Sequence, residues 1–253
     1  MSTLGRALGT ALTVVVLVVA GVAAWTWLAP DRGEARSHTY RQPVTSVHLD
    51  NDDGDITVHA GPPGAVTVAS RLSWTTLGRP TTEESWDGDT LTIAGRCPRT
   101  HPGSACVVDY VLVVPPGVAL DLRTGAGAVR ARDLTGDVRL AAAAGDVTAD
   151  DVTGPLRVRA DTGRVTGSGL RSDAVDIEIG SGDVALTFAE PPATATAVAG
   201  HGDVVVGLPA GAYDVAADAA SGDDTVEVRQ DPAAPSRVTA RTGAGDVHVR
   251  YAG

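Results

Sequence analysis

Thr135-Gly136-Asp137-Val138-Arg139-Leu140-Ala141-Ala142-Ala143-Ala144-Gly145-Asp146-Val147 holds the phrase that decides the fold: Gly, then Asp, then a Val-led apolar run, twice within a few residues. The phrase returns at Gly182-Asp183-Val184, Gly202-Asp203-Val204 and Gly245-Asp246-Val247. Looser copies stand at Gly127-Ala128-Val129, Gly154-Pro155-Leu156, Gly163-Arg164-Val165 and Gly222-Asp223-Asp224. The glycines fall nine residues apart from Gly127 to Gly163, then 19, 20 and 20 apart to Gly222. The unit is thus about nine to ten residues, and it often doubles.

Each phrase reads as a corner followed by a strand. Gly takes the positive φ that a tight corner demands, Asp accepts a nearby backbone N–H, and the β-branched Val restarts an extended segment. The spacing predicts corners at Gly127, Gly136, Gly145, Gly163, Gly182, Gly202, Gly222 and Gly245. Alternation follows, as in Asp183-Val184-Ala185-Leu186-Thr187-Phe188, so the strands have one buried face. Repeats at such spacing are the mark of stacked units. The expected architecture is all-β: a right-handed β-solenoid or β-prism with coils of about 18 to 20 residues, stacked at ~4.8 Å. An antiparallel β-sandwich is the competing reading. Phe188, Tyr213 and Tyr251 are the aromatics of the repeat region, so Val, Leu, Ile, Ala and Thr must fill a narrow interior.

Composition agrees and narrows the function. Among 253 residues, 30 Gly and 15 Pro argue against helix, and 25 of the 31 acidic residues are Asp, the turn former. The net charge of −11 argues against nucleic acid as a partner, because phosphates would be repelled. All 20 basic residues are Arg, which excludes lysine nucleophiles and Schiff bases.

Residues 1–6 read as a short cytoplasmic tail and residues 7–28 as a transmembrane helix. Ala7 to Leu28 carries no charge and would span about 33 Å as a helix, against a bilayer core of roughly 30 Å. Arg6 precedes it, and Trp25 and Trp27 lie where an interfacial belt is expected. A signal peptide cleaved after Val22-Ala23-Ala24 is the alternative. Residues 29–43 read as a polar linker. Residues 44–118 read as a first β part and residues 119–253 as the repeat, and the two are expected to form one continuous extracytoplasmic domain.

In the first part the expected strands are Val44 to Leu49, Asp55 to Ala60, Ala65 to Leu72, Thr90 to Ala94 and Val107 to Val114. Ser73 to Trp86 is expected as a long loop whose terminal Trp74 and Trp86 pin it to the core. Cys97 and Cys106 are the two cysteines, and in an exported chain their expected state is a disulfide. Asp50-Asn51-Asp52-Asp53-Gly54-Asp55 resembles a calcium loop, but its Gly is one place early and position twelve is Gly61, so an acidic hairpin turn is expected. The Gly-x-Gly pairs ending at Gly127, Gly202 and Gly245 lead into strands and lack the third Gly of a dinucleotide fingerprint. No catalytic motif is found, and no catalytic, metal or cofactor-binding residue is assigned.

The order of a membrane segment, Gly54-Asp55-Ile56-Thr57-Val58, Asp109-Tyr110-Val111-Leu112-Val113-Val114-Pro115-Pro116-Gly117-Val118 and Thr124-Gly125-Ala126-Gly127 opening a Gly-Asp-Val array resembles the putative-adhesin family of bacterial surface proteins. The resemblance covers roughly Val44 to Val249 and implies a β-solenoid or prism outside the membrane, with no catalytic residues to carry over. The expected function is a non-enzymatic, membrane-anchored binding or scaffold module facing extracellular glycan, envelope polymer or protein. The alternative is a polysaccharide lyase or hydrolase using clustered carboxylates. Asp183, Asp203, Asp223 and Asp246 would form a row at coil spacing, each carboxylate turned into its own corner. Weak Ca²⁺ binding to that row is the competing expectation.

Overall fold

A computed structural model describes residues 32–75, 78–98 and 105–252 of the chain. The predicted tail and transmembrane helix, residues 1–28, lie outside the described residues. Every regular element within them is a strand. The first eight are β1 Arg32–Tyr40, β2 Ser46–Asp53, β3 Ile56–Ala60, β4 Val66–Trp74, β5 Thr81–Asp87, β6 Thr90–Arg96, β7 Cys106–Val114 and β8 Ala119–Ala126. The repeat continues through β9 Val129–Arg132, β10 Val138–Ala144, β11 Val147–Asp150, β12 Leu156–Thr162, β13 Val165–Leu170, β14 Ala174–Ser181, β15 Val184–Phe188, β16 Thr194–His201 and β17 Val204–Leu208. It closes with β18 Ala212–Ala219, β19 Asp224–Val226, β20 Arg229–Gln230, β21 Arg237–Ala244 and β22 Val247–Tyr251.

The strands form two sheets, and from β6 to β19 successive strands alternate between them. One runs β1-β4-β7-β3-β9-β11-β13-β15-β17-β22-β19 and the other β20-β18-β21-β16-β14-β12-β10-β8-β2-β6-β5. From β8 to β17 each strand pairs in parallel with the strand one coil away, for example Leu140 opposite Leu122 and Val158. Such parallel, in-register pairing stacks coils and differs from the antiparallel sandwich considered above. The sheets number two, so the coils are two-sided.

The nine-residue spacing conceals two kinds of corner. Gly127, Gly145, Gly163, Gly182, Gly202, Gly222 and Gly245 all have φ between 121 and 142° and lie on one edge of the stack. Gly136 does not belong to this set: it lies on the opposite edge, where Asp133 (φ 57°) supplies the positive φ instead. A Cβ on Gly136 would still run into the carbonyl of Val118 in the neighbouring coil, so steric closeness keeps this position Gly. The fold of Asp50 to Asp55 is likewise a corner between the two sheets, with β2 in one and β3 in the other, and not a hairpin turn.

Between the sheets the alternating inner residues form one core, in which Val138, Val158, Ile177, Val184 and Val204 are wholly buried. Each such side chain removed from water stabilises the fold by roughly 1.5–3 kcal/mol. Phe188, Tyr110 and Tyr213 are its largest buried aromatics.

Three departures from the sequence reading concern order and edges. Residues 32–40, expected within a linker, form β1, antiparallel to β4. Its side chains are mostly exposed, so no hydrophobic alternation betrays it; the backbone ladder holds it. The expected loop from Ser73 to Trp86 contains β5, an edge strand antiparallel to β6 with equally weak patterning. Finally, β2 and β3 sit between the coils of β6–β7 and β8–β9, and β21 and β22 sit inside the coil of β18–β19.

Candidate binding surface

The corner edge carries the chemistry of the repeated Gly-Asp-Val phrase in three dimensions. The Asp203 N–H donates to Asp183 Oδ1 (3.2 Å), the Asp246 N–H to Asp203 Oδ1 (2.9 Å), and the Asp223 N–H to Asp246 Oδ1 (2.9 Å). Arg164 N to Asp146 and Ala128 N to Asp55 repeat the contact, both at 2.9 Å. Each carboxylate therefore accepts from the adjacent coil, not from its own corner as expected. The order along the row is Asp183, Asp203, Asp246, Asp223, following the inserted last coil. Backbone donors interleave with the like charges and offset their repulsion. Where Ala128 and Arg164 replace Asp, no side-chain oxygen is available for the next coil.

The outer face of the second sheet is built differently. Strands β8, β10, β12 and β14 turn Leu120, Leu122, Val138, Leu140, Leu156, Val158, Val175 and Ile177 inward, which leaves their alternate positions outward. Register then aligns Asp121, Arg139, Arg157 and Asp176 in one column, and Arg123, Ala141, Arg159 and Glu178 in the next. Arg123 Nε meets Asp121 at 3.0 Å, Arg139 meets Asp137 at 2.7 Å and Arg157 meets Asp176 at 3.2 Å. Arg159 pairs with Glu178 and lies 3.5 Å from Asp176. A shallow groove of about 230 Å³ runs between Asp137, Arg139, Arg157, Asp176 and Thr196. Its two carboxylates are both held by guanidinium groups, and each guanidinium keeps further N–H donors for a ligand.

At the β1 end of the stack, polar groups enter the interior. Asn51 is 2% exposed and donates to Val108 O (2.8 Å), while its Oδ1 and the hydroxyl of Tyr110 are buried without a hydrogen-bond partner among the described residues. Burial drives the Tyr110 hydroxyl well above its ordinary pKa. Tyr40, hydrogen-bonded to Glu84, is pushed up to about 12, mainly by burial. Burial, with the Asp109 and Asp52 charges added, raises the Asp53 carboxyl. Asp55 is lowered, chiefly by the hydrogen bond from Arg130 (2.9 Å). Trp86 packs edge-on to Tyr40, their centroids 5.2 Å apart, and Arg79 lies over Trp74, so both tryptophans do face packed neighbours.

The Cys97 and Cys106 pair forms the disulfide, with Cα atoms 5.8 Å apart, and ties the end of β6 to the start of β7 across the two sheets. Asp52 accepts the Cys97 N–H at 3.0 Å. The disulfide and the corner glycines are thus distant in role from the Arg columns, which the sequence reading missed. Outward positions at the coil period would have revealed them: Asp121, Arg139 and Arg157 fall 18 residues apart. Among the described residues no group of three or more His, Cys, Asp or Glu is placed to hold a metal ion. Among the described residues no helix is long and apolar enough to cross a membrane.

The model of the family described as Toastrack DUF4097 matches residues 110–252. No curated protein matches the chain. Among solved structures, the chain is similar to a "putative cell adhesion protein" of Clostridium sporogenes, at 12% identity and TM-score 0.40, covering 87% of this chain and 100% of that one. It is also similar to a "putative adhesin" of Bacteroides fragilis, at 11% identity and TM-score 0.35, covering 87% of this chain and 97% of that one. A further "putative adhesin", from Parabacteroides distasonis, is 11% identical at TM-score 0.35, with 85% and 97% covered. At these scores the likeness carries no argument about function.

Proposed function

We propose, from the premise that this chain belongs to the Toastrack DUF4097 family, that it is a non-enzymatic, adhesin-like binding or scaffold module of the cell envelope, built as a right-handed β-solenoid. Right-handed crossing is the rule for parallel strand connections. The observation that carries the reading is the outer face of the second sheet, where Arg and carboxylate side chains recur in register on a rigid backbone. Such columns offer many weak, evenly spaced hydrogen bonds to a hydroxyl-rich or anionic polymer, glycan above all, or to a protein surface. Residues 7–28 would anchor the module as a single-pass helix, with the strands outside the cell. The uncharged length of that segment supports this.

Full-length protein in liposomes, applied to a glycan array, tests the reading. Saturable binding that drops in Arg139→Ser/Arg157→Ser is expected; binding unchanged by that pair removes the Arg face from the role. After carbonate washing of cells the full-length chain should stay with the membranes, whereas a soluble form starting after Ala24 would show cleavage.

The reading needs no cofactor, and it takes the Asp row as a stacking device, since the Asp183, Asp203 and Asp246 carboxylates each accept a backbone N–H from the next coil. Melting in millimolar calcium and in chelator should give the same midpoint. Bound calcium would instead stabilise by RT ln(1 + [L]/Kd), and a rise in midpoint would assign the row to the ion.

A further inference from the structure

The two ends of the stack are finished differently. At the β1 end, charged side chains close the edge: Glu34 pairs with Arg36 and Arg79, Arg36 donates to Thr82, and Tyr40 bonds Glu84 across the sheets. Charges turned toward the core are a standard guard against strand addition.

At the opposite end β18 is the last long strand, and β20 covers it at Ala212 and Tyr213 alone. Beyond those residues, from Asp214 to Ala219, its outer edge has no strand partner among the described residues. Asp214 N donates inward to Ser236 O and Ala220 N to Thr242 O, so by alternation the N–H and C=O groups of Val215, Ala217 and Ala219 face the open edge. The core beneath is also half-covered. Val238, Ala240 and Val249 are wholly buried, while their register partners Val215, Ala217 and Val226 one coil outward are only partly so.

We infer that this open edge of β18 takes up an extended segment of another protein as an added strand, one alternating small apolar residues with Arg or Lys. The apolar residues would complete the layer over Val215, Ala217 and Ala219, and backbone pairing would supply affinity. The basic ones answer the acidic rim: Asp218, Asp223 and Asp224 have no ion-pair partner among the described residues. A second copy of this chain fits poorly. Pairing β18 with its own equivalent sets Asp214 and Asp218 against themselves, and pairing it with β5 sets them against Glu83, Glu84 and Asp87. This edge is separate from the Arg face of the second sheet, so its failure would leave the proposed function standing.

The probe is a synthetic peptide alternating Val and Arg over eight residues, titrated by fluorescence anisotropy into the full-length chain in detergent, with a Val/Glu peptide as control. Saturable binding of the Val/Arg peptide alone is expected. Ala217→Pro removes one outward N–H while leaving the ladder to β21 intact, a change that edge strands tolerate. It should weaken binding at least tenfold with unchanged far-UV circular dichroism. Should that variant lose its fold, Asp218→Asn/Asp224→Asn reads the same edge through a several-fold loss and a flatter salt dependence. Amide exchange at Val215, Ala217 and Ala219 should slow when the peptide binds. No binding, equal binding of the Val/Glu peptide, or binding that ignores both variants overturns the inference. So does sedimentation showing that the edge is already filled by a second copy.

Discussion

Gly182 has φ of +132°, and a Cβ there would collide with the carbonyl oxygen of Gly163 in the neighbouring coil. Gly64 also has positive φ, +85°, yet a Cβ would meet nothing within 4 Å. Gly64→Ala should therefore cost only the left-handed backbone penalty, about 1–2 kcal/mol. Gly182→Ala adds forced separation of two coils and should cost about 3 kcal/mol or more, against about ±0.5 kcal/mol for Arg250→Ser on an exposed strand. Denaturant unfolding checks this, and equal losses for the two glycines would show that coil closeness is not what excludes a side chain. Asp53 makes a prediction of opposite sign to the usual carboxylate. Its folded pKa lies above the unfolded value of 3.8, so between the two the folded state holds more protons and stability falls as pH rises. The unfavourable contribution is complete above the folded pKa. Asp53→Asn should raise the melting midpoint at pH 7, and the gain should vanish as pH falls below the unfolded value; a gain that persists in acid would place its origin elsewhere.

Among the elements, β6 and β7 show what a covalent link adds. They belong to different sheets, and the Cys97–Cys106 bond closes a short loop between them. Replacing both cysteines by Ser should lower stability by about 2–3 kcal/mol, chiefly through the gain in freedom of the unfolded chain. Guanidinium titration under non-reducing conditions measures it, and equal midpoints would mean that Asp52 and the ladders alone hold that junction. The strands β2, β3, β4, β6 and β7 were legible because each alternates apolar and polar residues over a buried face. β1 and β5 were not, since an edge beyond the core buries little. Their polar sequences, Arg-Gly-Glu-Ala-Arg and Thr-Thr-Glu-Glu-Ser, read as loop for that physical reason.

Over the whole molecule, each coil contacts mainly its two neighbours, so stability should vary along the stack. Amide exchange should be slowest in β10, β12, β14 and β16, and fastest in β1, β18 and β20, where one side lacks a neighbour. Uniform exchange across the strands would indicate a single cooperative unit with no weak end. The sequence alone determined the local grammar: corner glycines, period-two strands, a narrow aliphatic core, the cysteine pair and the coil length. These follow from φ preferences, side-chain alternation and steric room, which act over a few residues. Tertiary structure alone decided that Gly136 lies on the other edge from Gly127, that Asp203 accepts from Asp246 and not from its own corner, and that Asp121, Arg139 and Arg157 share a column. It also decided that β21 and β22 slip inside β18 and β19. Gly222-Asp223 and Gly245-Asp246 are nearly the same phrase, so no local preference ranks which coil docks first; only the pairing energy of whole strands against an available edge does.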